Sequence, residues 1–463
     1  MRLFVFFFNL IFGFTVIFSC QPANSEEKIS DGSYVITNVN IIDVQNGNII
    51  LGHVVIDSTR ITHIVDLENS PEIDFGNAIL IDGTEKYLIP GLAEMHAHIP
   101  SLSWDDPNIE ETLFLYLSNG ITTIRGMLGH PYHLELREKA KNQDILSPRI
   151  YTSSPSISGN TITSPEEAKT KVKEYAEAGY DFLKIHPGLR LHVFEEVVNT
   201  ANEVGIPFAG HVSTLVGVRR ALESKYATID HVDSYLEGLV PESENVNPTE
   251  NGFFGYNFTH LADTSLIPEL VKMSKDNQVW VVPTQSLFDR WFSPSDAELM
   301  AEEKEMAYIS SETRENWIQS KQSLISEPGY DSVTWKKFNG IRYQLIKALH
   351  ENGHGLLLGS DAPQVFNVPG FSIHHELEGM IKAGLTPLEA IQTGTLNPAR
   401  FFNGNFGQIK KGLDADLILL ENNPLEDIKN LQNPLGVMAR GQWIDRNIID
   451  KKLKEIAKLY SST

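Results

Sequence analysis

Cysteine is almost missing from this chain of 463 residues, since Cys20 is the only one. The chain therefore forms no internal disulfide, and after Cys20 it offers neither a thiolate metal site nor a cysteine nucleophile. Any metal that this protein binds must be held by histidine, by carboxylate or by a rarer ligand.

Basic residues are also in short supply. The chain has 38 Lys and Arg residues against 60 Asp and Glu residues, which gives a net charge of −22 with neutral histidines. An acidic surface of this size repels a phosphate backbone, so nucleic acid is excluded as a partner. The 41% content of hydrophobic residues and the modest Gly and Pro counts predict a folded globular protein.

The longest apolar run lies at the N-terminus, in "MRLFVFFFNLIFGFTVIFSCQ". One early arginine followed by this run predicts an export signal over residues 1–19. About 17 apolar residues are short for a membrane-spanning anchor, which is the alternative. The segment "IFSC" resembles the lipobox of bacterial lipoproteins. That resemblance implies a lipid on Cys20, attachment to a membrane and a place in the bacterial cell envelope, on its periplasmic or outer side.

Composition divides the rest of the chain into two domains. A polar tether over residues 20–32 is followed by short β-rich segments over residues 33–88, and a similar composition returns over residues 402–447. The two ends are therefore predicted to build one small β-sandwich domain, with residues 89–401 inserted between them. Residues 448–463 are predicted to form a C-terminal helix.

The inserted region alternates apolar strand-like runs with amphipathic helical ones, which is typical of a parallel α/β structure. Helical stretches such as "SPEEAKTKVKEYAEAG" end near a glycine. The eight candidate strands are "GLAEMHAH", "ITTIRGM", "RIYTSSP", "DFLKIH", "PFAGH", "TIDHVD", "WVVPTQ" and "GLLLGSD". Eight such units predict a TIM-type (β/α)8 barrel with its active site at the C-terminal ends of the strands.

A long helical segment over residues 286–331 interrupts the barrel pattern after strand seven. It is too long for a plain connection, and it would either cover the barrel mouth as a lid or form an exposed excursion without a role in catalysis.

Polar residues close the apolar strands where a barrel places its chemistry. His96 and His98 lie two residues apart on strand one and so share a face. Alone, such a pair equally fits packed histidines. The other strand ends are closed by Lys184 and His186, by His211, by His231 and by Asp361.

A shared divalent metal would remove the cost of burying these groups without partners. Nitrogen and oxygen ligands without thiolate suit zinc, and manganese, iron and cobalt remain alternatives.

These motifs resemble the amidohydrolase superfamily, in its imidazolonepropionase-like branch close to the metal-dependent prolidases. The resemblance covers residues 33–446. It rests on "HAH", "LKIH", "GH", "DH" and "SDAP", together with "NGITTIR", "GLTPLEAIQTGTLNPAR" and "GLDADLILL".

The resemblance implies a role for each strand-end residue. His96 and His98 would hold a buried metal, and His211 and His231 a more exposed one. Lys184, carboxylated by CO2, would bridge the two cations, and Asp361 would bind the buried metal and act as general acid and base. The alternative for Lys184 is an ion pair with Asp361 in a one-metal site. Imidazolonepropionases lack the bridging lysine, so Lys184 favours hydrolysis of peptide-like amides.

Substrate contacts have weaker signals. Related dipeptidases imply that Tyr235, four residues after His231, holds a substrate carboxylate. Arg125 would clamp the same group or pair with an internal acid. His130 and His186 would bind substrate or the metal shell, or are packed histidines.

The predicted function is hydrolysis of C–N amide bonds in dipeptides or N-acyl amino acids, including Xaa-Pro substrates, by a metal-bridging hydroxide. One alternative is a lactone, cyclic-amide or organophosphate hydrolase with the same centre. Another is a lipoprotein that binds small molecules without turnover. Self-association into a homo-oligomer is left open.

Overall fold

A computed structural model describes residues 31–69, 74–100 and 109–461 of the chain. The predicted signal peptide, Cys20 and most of the predicted tether lie outside these ranges. No helix within the described ranges combines the length and the apolar character needed to cross a membrane.

Strands from both ends of the chain form one domain, and strands from the middle form another. Within the described ranges the strands are β1 (Tyr34–Ile42), β2 (Ile49–Asp57), β3 (Arg60–Asp66), β4 (Ile79–Asp82), β5 (Tyr87–Pro90), β6 (Leu92–Ala97), β7 (Ile121–Gly126), β8 (Arg149–Ile157), β9 (Phe182–Ile185), β10 (Phe208–Gly210), β11 (Thr228–Asp230), β12 (Trp280–Val282), β13 (Leu417–Leu420), β14 (Gly436–Ala439) and β15 (Gln442–Asp445).

Helices alternate with the strands of the middle region and then follow one another from β12 onwards. They are α1 (Ile109–Ser118), α2 (Pro131–Lys141), α3 (Pro165–Ala178), α4 (Leu191–Val204), α5 (Val218–Glu223), α6 (Ile267–Asp276), α7 (Gln285–Arg290), α8 (Ala297–Ala301), α9 (Ser311–Ile325), α10 (Ser332–Asn352), α11 (Ser372–Ala383), α12 (Pro387–Gly394), α13 (Leu396–Phe402) and α14 (Arg446–Ser461).

The small domain is a single eight-stranded sheet. Its order is β15-β14-β13-β5-β1-β2-β3, with β4 also paired to β1. The N-terminal strand β5 pairs antiparallel with the C-terminal strand β13, from Pro90 opposite Leu417 to Tyr87 opposite Leu420. Alternate side chains of both chain ends, such as Ile41, Leu88 and Leu417, meet in one apolar core. The prediction that the two ends build one β domain is confirmed.

The second domain is the predicted barrel. Its seven parallel strands run in the order β12-β11-β10-β9-β8-β7-β6. The eighth predicted strand, residues 355–361, bridges one outer strand from Leu356 to Val281, and Ala362, the residue after it, bridges the other at Ala97. Its backbone N–H groups also donate to the two neighbours, from Asp361 to the His96 carbonyl at 3.0 Å and from Leu357 to the Val281 carbonyl at 2.9 Å. These contacts close the barrel.

The helix ends follow the sequence signals. Ser164 caps α3, since its side chain accepts from the backbone N–H of Glu167, and Gly179 ends the helix in a left-handed conformation. Gly205 ends α4 in the same way. The predicted βα rhythm is therefore built with its expected stop residues.

The segment over residues 286–331 is helical, as predicted, and it is packed. Met300, Met306 and Trp317 share an apolar cluster with Phe366 from the loop after the eighth strand. The buried Lys321 ties α9 to the end of α7, because its Nζ donates to the carbonyls of Arg290 at 2.6 Å and Ser293 at 2.7 Å. The segment is thus joined to the mouth of the barrel, and its movement as a lid stays a prediction.

Candidate metal centre

Four imidazole rings meet at the C-terminal ends of the barrel strands. The ring centroids of His96 and His231 lie 4.5 Å apart, those of His211 and His231 4.4 Å, and those of His96 and His98 5.4 Å. The structure therefore brings together all four histidines that the sequence assigned to metal binding.

Asp361 lies in the middle of this cluster. Its Oδ1 is 2.7 Å from His98 Nε2 and 3.4 Å from His96 Nε2, and its Oδ2 is 3.8 Å from His231 Nδ1. Each of His96, His98 and Asp361 offers a ligand atom within 4.8 Å of the others. Two imidazole nitrogens and a carboxylate oxygen in this arrangement fit a divalent cation.

Lys184 approaches the cluster from β9. Its side chain is fully buried, and its Nζ lies 3.3 Å from His96 Nε2. No carboxylate oxygen of the described residues lies within 4.0 Å of this nitrogen, so the alternative of a direct ion pair with Asp361 is not seen. Burial lowers the pKa of Lys184 to about 8.

Acidic and hydroxyl side chains orient the imidazoles. His96 Nδ1 lies 2.8 Å from Asp230 Oδ2, and His211 Nδ1 lies 3.0 Å from Asp233 Oδ2. His231 Nδ1 lies 2.9 Å from the hydroxyl of Thr284. Fixing one ring nitrogen in this way leaves the other one available to a metal, as is usual around bound cations.

The buried Nε2 of His231 provides a test of whether a cation fits. This atom has no hydrogen-bond partner among the described residues. Burial, together with the nearby charges of Lys184 and of other histidines, holds the pKa of both His96 and His231 well below the usual range, which favours neutral imidazoles. A buried neutral nitrogen without a partner is what a metal ligand requires, and the site fits a cation in this respect.

Glu94 fixes the two strands that carry the cluster. Its buried carboxylate accepts from the backbone N–H of His96 at 3.0 Å and of Ser360 at 2.8 Å, and from the Ser360 hydroxyl at 2.6 Å. β6, the first barrel strand, and the eighth predicted strand are thereby held together directly beside His96 and Asp361.

Arg125 is placed differently from its predicted substrate role. Its side chain is fully buried, with Nε donating to the Met95 carbonyl at 2.7 Å and the two terminal nitrogens donating to Thr228 and Asp230. The structure thus supports the alternative of an internal ion pair, and it corrects the expected clamp on a substrate carboxylate. Through Asp230, Arg125 supports the ring of His96.

Tyr235 is also turned away from the cluster. Its side chain is fully buried, and its hydroxyl lies 2.6 Å from the Ser274 hydroxyl on α6. The backbone turns sharply before it, since His231, Val232 and Ser234 all have positive φ. The expectation that Tyr235 holds a substrate carboxylate is corrected by this orientation.

The two remaining predicted residues have local partners. His186 Nδ1 lies 2.6 Å from the Ser156 hydroxyl, and its ring centroid is 5.2 Å from that of His211, at the margin of the cluster. His130 caps α2 by accepting from the backbone N–H of Tyr132. Their contacts with substrate stay predictions.

Sequence comparison assigns the part of the chain that forms this barrel to a known family. The model of the amidohydrolase family matches residues 87–444, which is most of the chain. The chain belongs to the amidohydrolase family. This membership confirms the predicted resemblance, and members of the family are metal-dependent.

Curated relatives of this amidohydrolase match only part of it. Ochratoxinase from Aspergillus niger is 34% identical over 116 residues, which are 24% of this chain and 23% of ochratoxinase. Adenine deaminase from Clostridium acetobutylicum is 30% identical over 192 residues, which are 38% of this chain and 31% of the deaminase. The matches thus span about a quarter to a third of these relatives.

Solved structures match nearly all of the amidohydrolase chain. Bottromycin amidohydrolase has a TM-score of 0.68 at 20% identity, covering 92% of this chain and 90% of its own. A putative prolidase from Bifidobacterium longum has a TM-score of 0.64 at 23% identity, covering 92% of this chain and 99% of its own. At such low identities these similarities show a shared fold.

Proposed function

We propose that this amidohydrolase cleaves C–N amide bonds of small peptide-like substrates, namely dipeptides or N-acyl amino acids, including Xaa-Pro dipeptides. The observation that carries the proposal is the cluster of His96, His98, His211, His231 and Asp361 with Lys184 beside it. The names of several similar proteins agree with this proposal, since they include ochratoxinase, a prolidase and a Xaa-Pro dipeptidase.

We also propose that the site holds two divalent cations, with zinc as the preferred metal. A carbamate on Lys184 would be the ligand that they share. His96, His98 and Asp361 would hold one, and His211 and His231 the other. When bound, such cations polarise a carbonyl and lower the pKa of water.

The chain itself supplies the proton transfer. Asp361 is the carboxylate that reaches the histidines of both predicted sites, so it is placed to take a proton from water and return it to the leaving nitrogen. His98 holds its Oδ1, and Glu94 fixes the strand that precedes it.

Hydrolysis by the purified full-length chain tests the proposed function. We expect the zinc-loaded protein to release amino acids from a panel of dipeptides and N-acyl amino acids, with turnover abolished by chelation and restored by zinc. Asp361→Asn should lower kcat by roughly 100-fold or more, since it removes a proposed zinc ligand together with the general acid–base group, which alone contributes about 10²- to 10⁴-fold. Turnover confined to lactones, cyclic amides or phosphotriesters would contradict the proposal, as would binding without turnover.

We further propose that the chain is exported and anchored in a bacterial membrane by a lipid on Cys20. The lipobox-like segment "IFSC" supports this proposal. In a bacterial host, the wild type is expected to take up labelled fatty acid and to sediment with membranes, whereas Cys20→Ala should be unlabelled. Equal labelling of the two proteins would refute the anchor.

A further inference from the structure

The long connection after β11 brings an aromatic cluster to the metal centre. Residues 233–266 contain short 3-10 helices at Glu237–Leu239, Glu242–Glu244, Pro248–Glu250, Phe253–Phe258 and Thr264–Leu266. Phe253 of this connection packs against Trp291 and Phe292, which follow α7, with ring centroids 5.5 Å and 4.6 Å away. The connections after β11 and β12 therefore meet through aromatic rings.

Phe254 is the member of this aromatic cluster that reaches the histidines. Its ring centroid lies 5.6 Å from that of His231 and 6.0 Å from that of His211. The Phe254 ring also packs edge-to-face with that of Phe288, with ring centroids 5.0 Å apart. The side chain is half-buried, and the side chain of His211 retains 16% of its exposure. Phe254 thus borders the accessible side of the metal centre.

The backbone holds Phe254 in an unfavourable conformation to achieve this. Its φ of 50° and ψ of 44° are left-handed, which is costly for a residue with a bulky side chain. Gly252 and Gly255 on either side also have positive φ, and a Cβ on Gly255 would lie 2.8 Å from the Glu237 carboxylate. Strain of this kind concentrates at functional sites, and here it directs an aromatic ring at two metal-site histidines.

Two charged side chains, Arg342 and Glu237, lie next to the aromatic cluster that contains Phe254. Arg342 lies over the ring of Phe288 and donates to the His231 carbonyl at 2.8 Å and to Gln285 at 3.0 Å. Glu237 Oε1 accepts from Asn251 at 2.6 Å, whereas its buried Oε2 has no partner among the described residues. An anionic substrate group placed against Phe254 would therefore lose hydration without gaining Arg342 as a partner.

We propose that Phe254 is the specificity-determining residue for the acyl half of the substrate. It forms an apolar wall that selects amides whose scissile carbonyl carries an aromatic or large aliphatic group. The inference rests on the proposed amide hydrolysis, and it places the acyl side chain beside His211 and His231.

Four dipeptides that share alanine as the leaving group test whether Phe254 acts as an apolar wall. The wild type should prefer Phe-Ala and Leu-Ala over Asp-Ala and Lys-Ala. Phe254→Ala should lower kcat/KM for Phe-Ala by roughly 10-fold or more and for Asp-Ala by less than about 3-fold, since lost apolar contacts discriminate by about 10- to 200-fold. Phe254→Leu should retain most of the Leu-Ala rate.

Two further variants separate recognition from packing. Phe254→Gly removes the ring at a position where glycine is favoured, so it should lose the discrimination while the melting temperature stays at or above that of Phe254→Ala. Phe253→Ala loosens the same aromatic cluster without removing the ring nearest the histidines, and it should keep the preference for Phe-Ala.

Binding provides a readout without turnover. Calorimetry with the products phenylalanine and aspartate should show that Phe254→Ala weakens phenylalanine by roughly 10-fold and leaves aspartate nearly unchanged. An equal loss of kcat/KM for all four dipeptides and of affinity for both products would overturn the proposal that Phe254 selects apolar acyl groups. Failure of the wild type to cleave any dipeptide or N-acyl amino acid would instead overturn the proposed function and this inference with it.

Discussion

Lys184→Ala is expected to bind about one zinc ion per chain where the wild type binds about two, and to lose amide hydrolysis by roughly 100-fold or more. Lys184 Nζ lies 3.3 Å from His96 Nε2, where a carbamate would supply the shared oxygen ligand. Without it the second cation would be lost, together with several kcal/mol of charge stabilisation in the transition state. Metal analysis of the purified variants and kinetics on the dipeptide panel measure the two effects.

A second buried lysine in the same chain serves as the matched control. Lys321 is also fully buried, but its Nζ donates to the backbone carbonyls of Arg290, at the end of α7, and of Ser293, and to none of the cluster's histidines. Lys321→Ala should lower the melting temperature and retain both cations. If Lys184→Ala instead kept two cations and its turnover, Lys184 would be structural and the proposed bridge would be wrong.

Arg125→Met is expected to reduce the free energy of unfolding by about 3 to 5 kcal/mol, which is typical when one partner of a buried ion pair is removed. Asp230 is fully buried, and after the substitution its carboxylate would keep only the Thr228 hydroxyl at 2.6 Å and the ring of His96. The Met95 carbonyl would also lose its donor. Denaturant unfolding of the metal-free protein measures the loss.

Arg149 offers a comparison at a more exposed ion pair. Its side chain is 19% exposed and pairs with Asp414 and Asp416, between the barrel and the small domain. Arg149→Met should cost less than Arg125→Met, and it should not alter zinc affinity. Equal costs for the two variants would contradict the argument from burial.

Much of the site could be predicted because parallel strands end at one edge of a barrel. Spacing placed His96 and His98 on one face, and Lys184, His211, His231 and Asp361 each followed an apolar run. Predicting the cluster therefore required only that the strands be assigned correctly. The eighth strand was also predicted, although it is held by isolated bridges.

The orienting residues could not be predicted, because they depend on local departures from strand geometry. His231 has a φ of 65°, which breaks the alternation that would send Asp230 and His231 to opposite faces. Both side chains consequently reach the cluster. The same turn directs the Tyr235 hydroxyl to Ser274 on α6. The pairing of Arg125 with Asp230 joins residues far apart in the chain, so it leaves no local pattern in the sequence.

The pairing of β5 with β13 sets an order of events during synthesis. Leu417 leaves the ribosome about 330 residues after its partner Pro90, which corresponds to roughly 20 to 60 s at about 5 to 20 residues per second. Throughout that time one edge of β5 has no partner and exposes the backbone groups that drive strand-to-strand aggregation. The newly made chain therefore depends on protection of this edge until its last strands arrive.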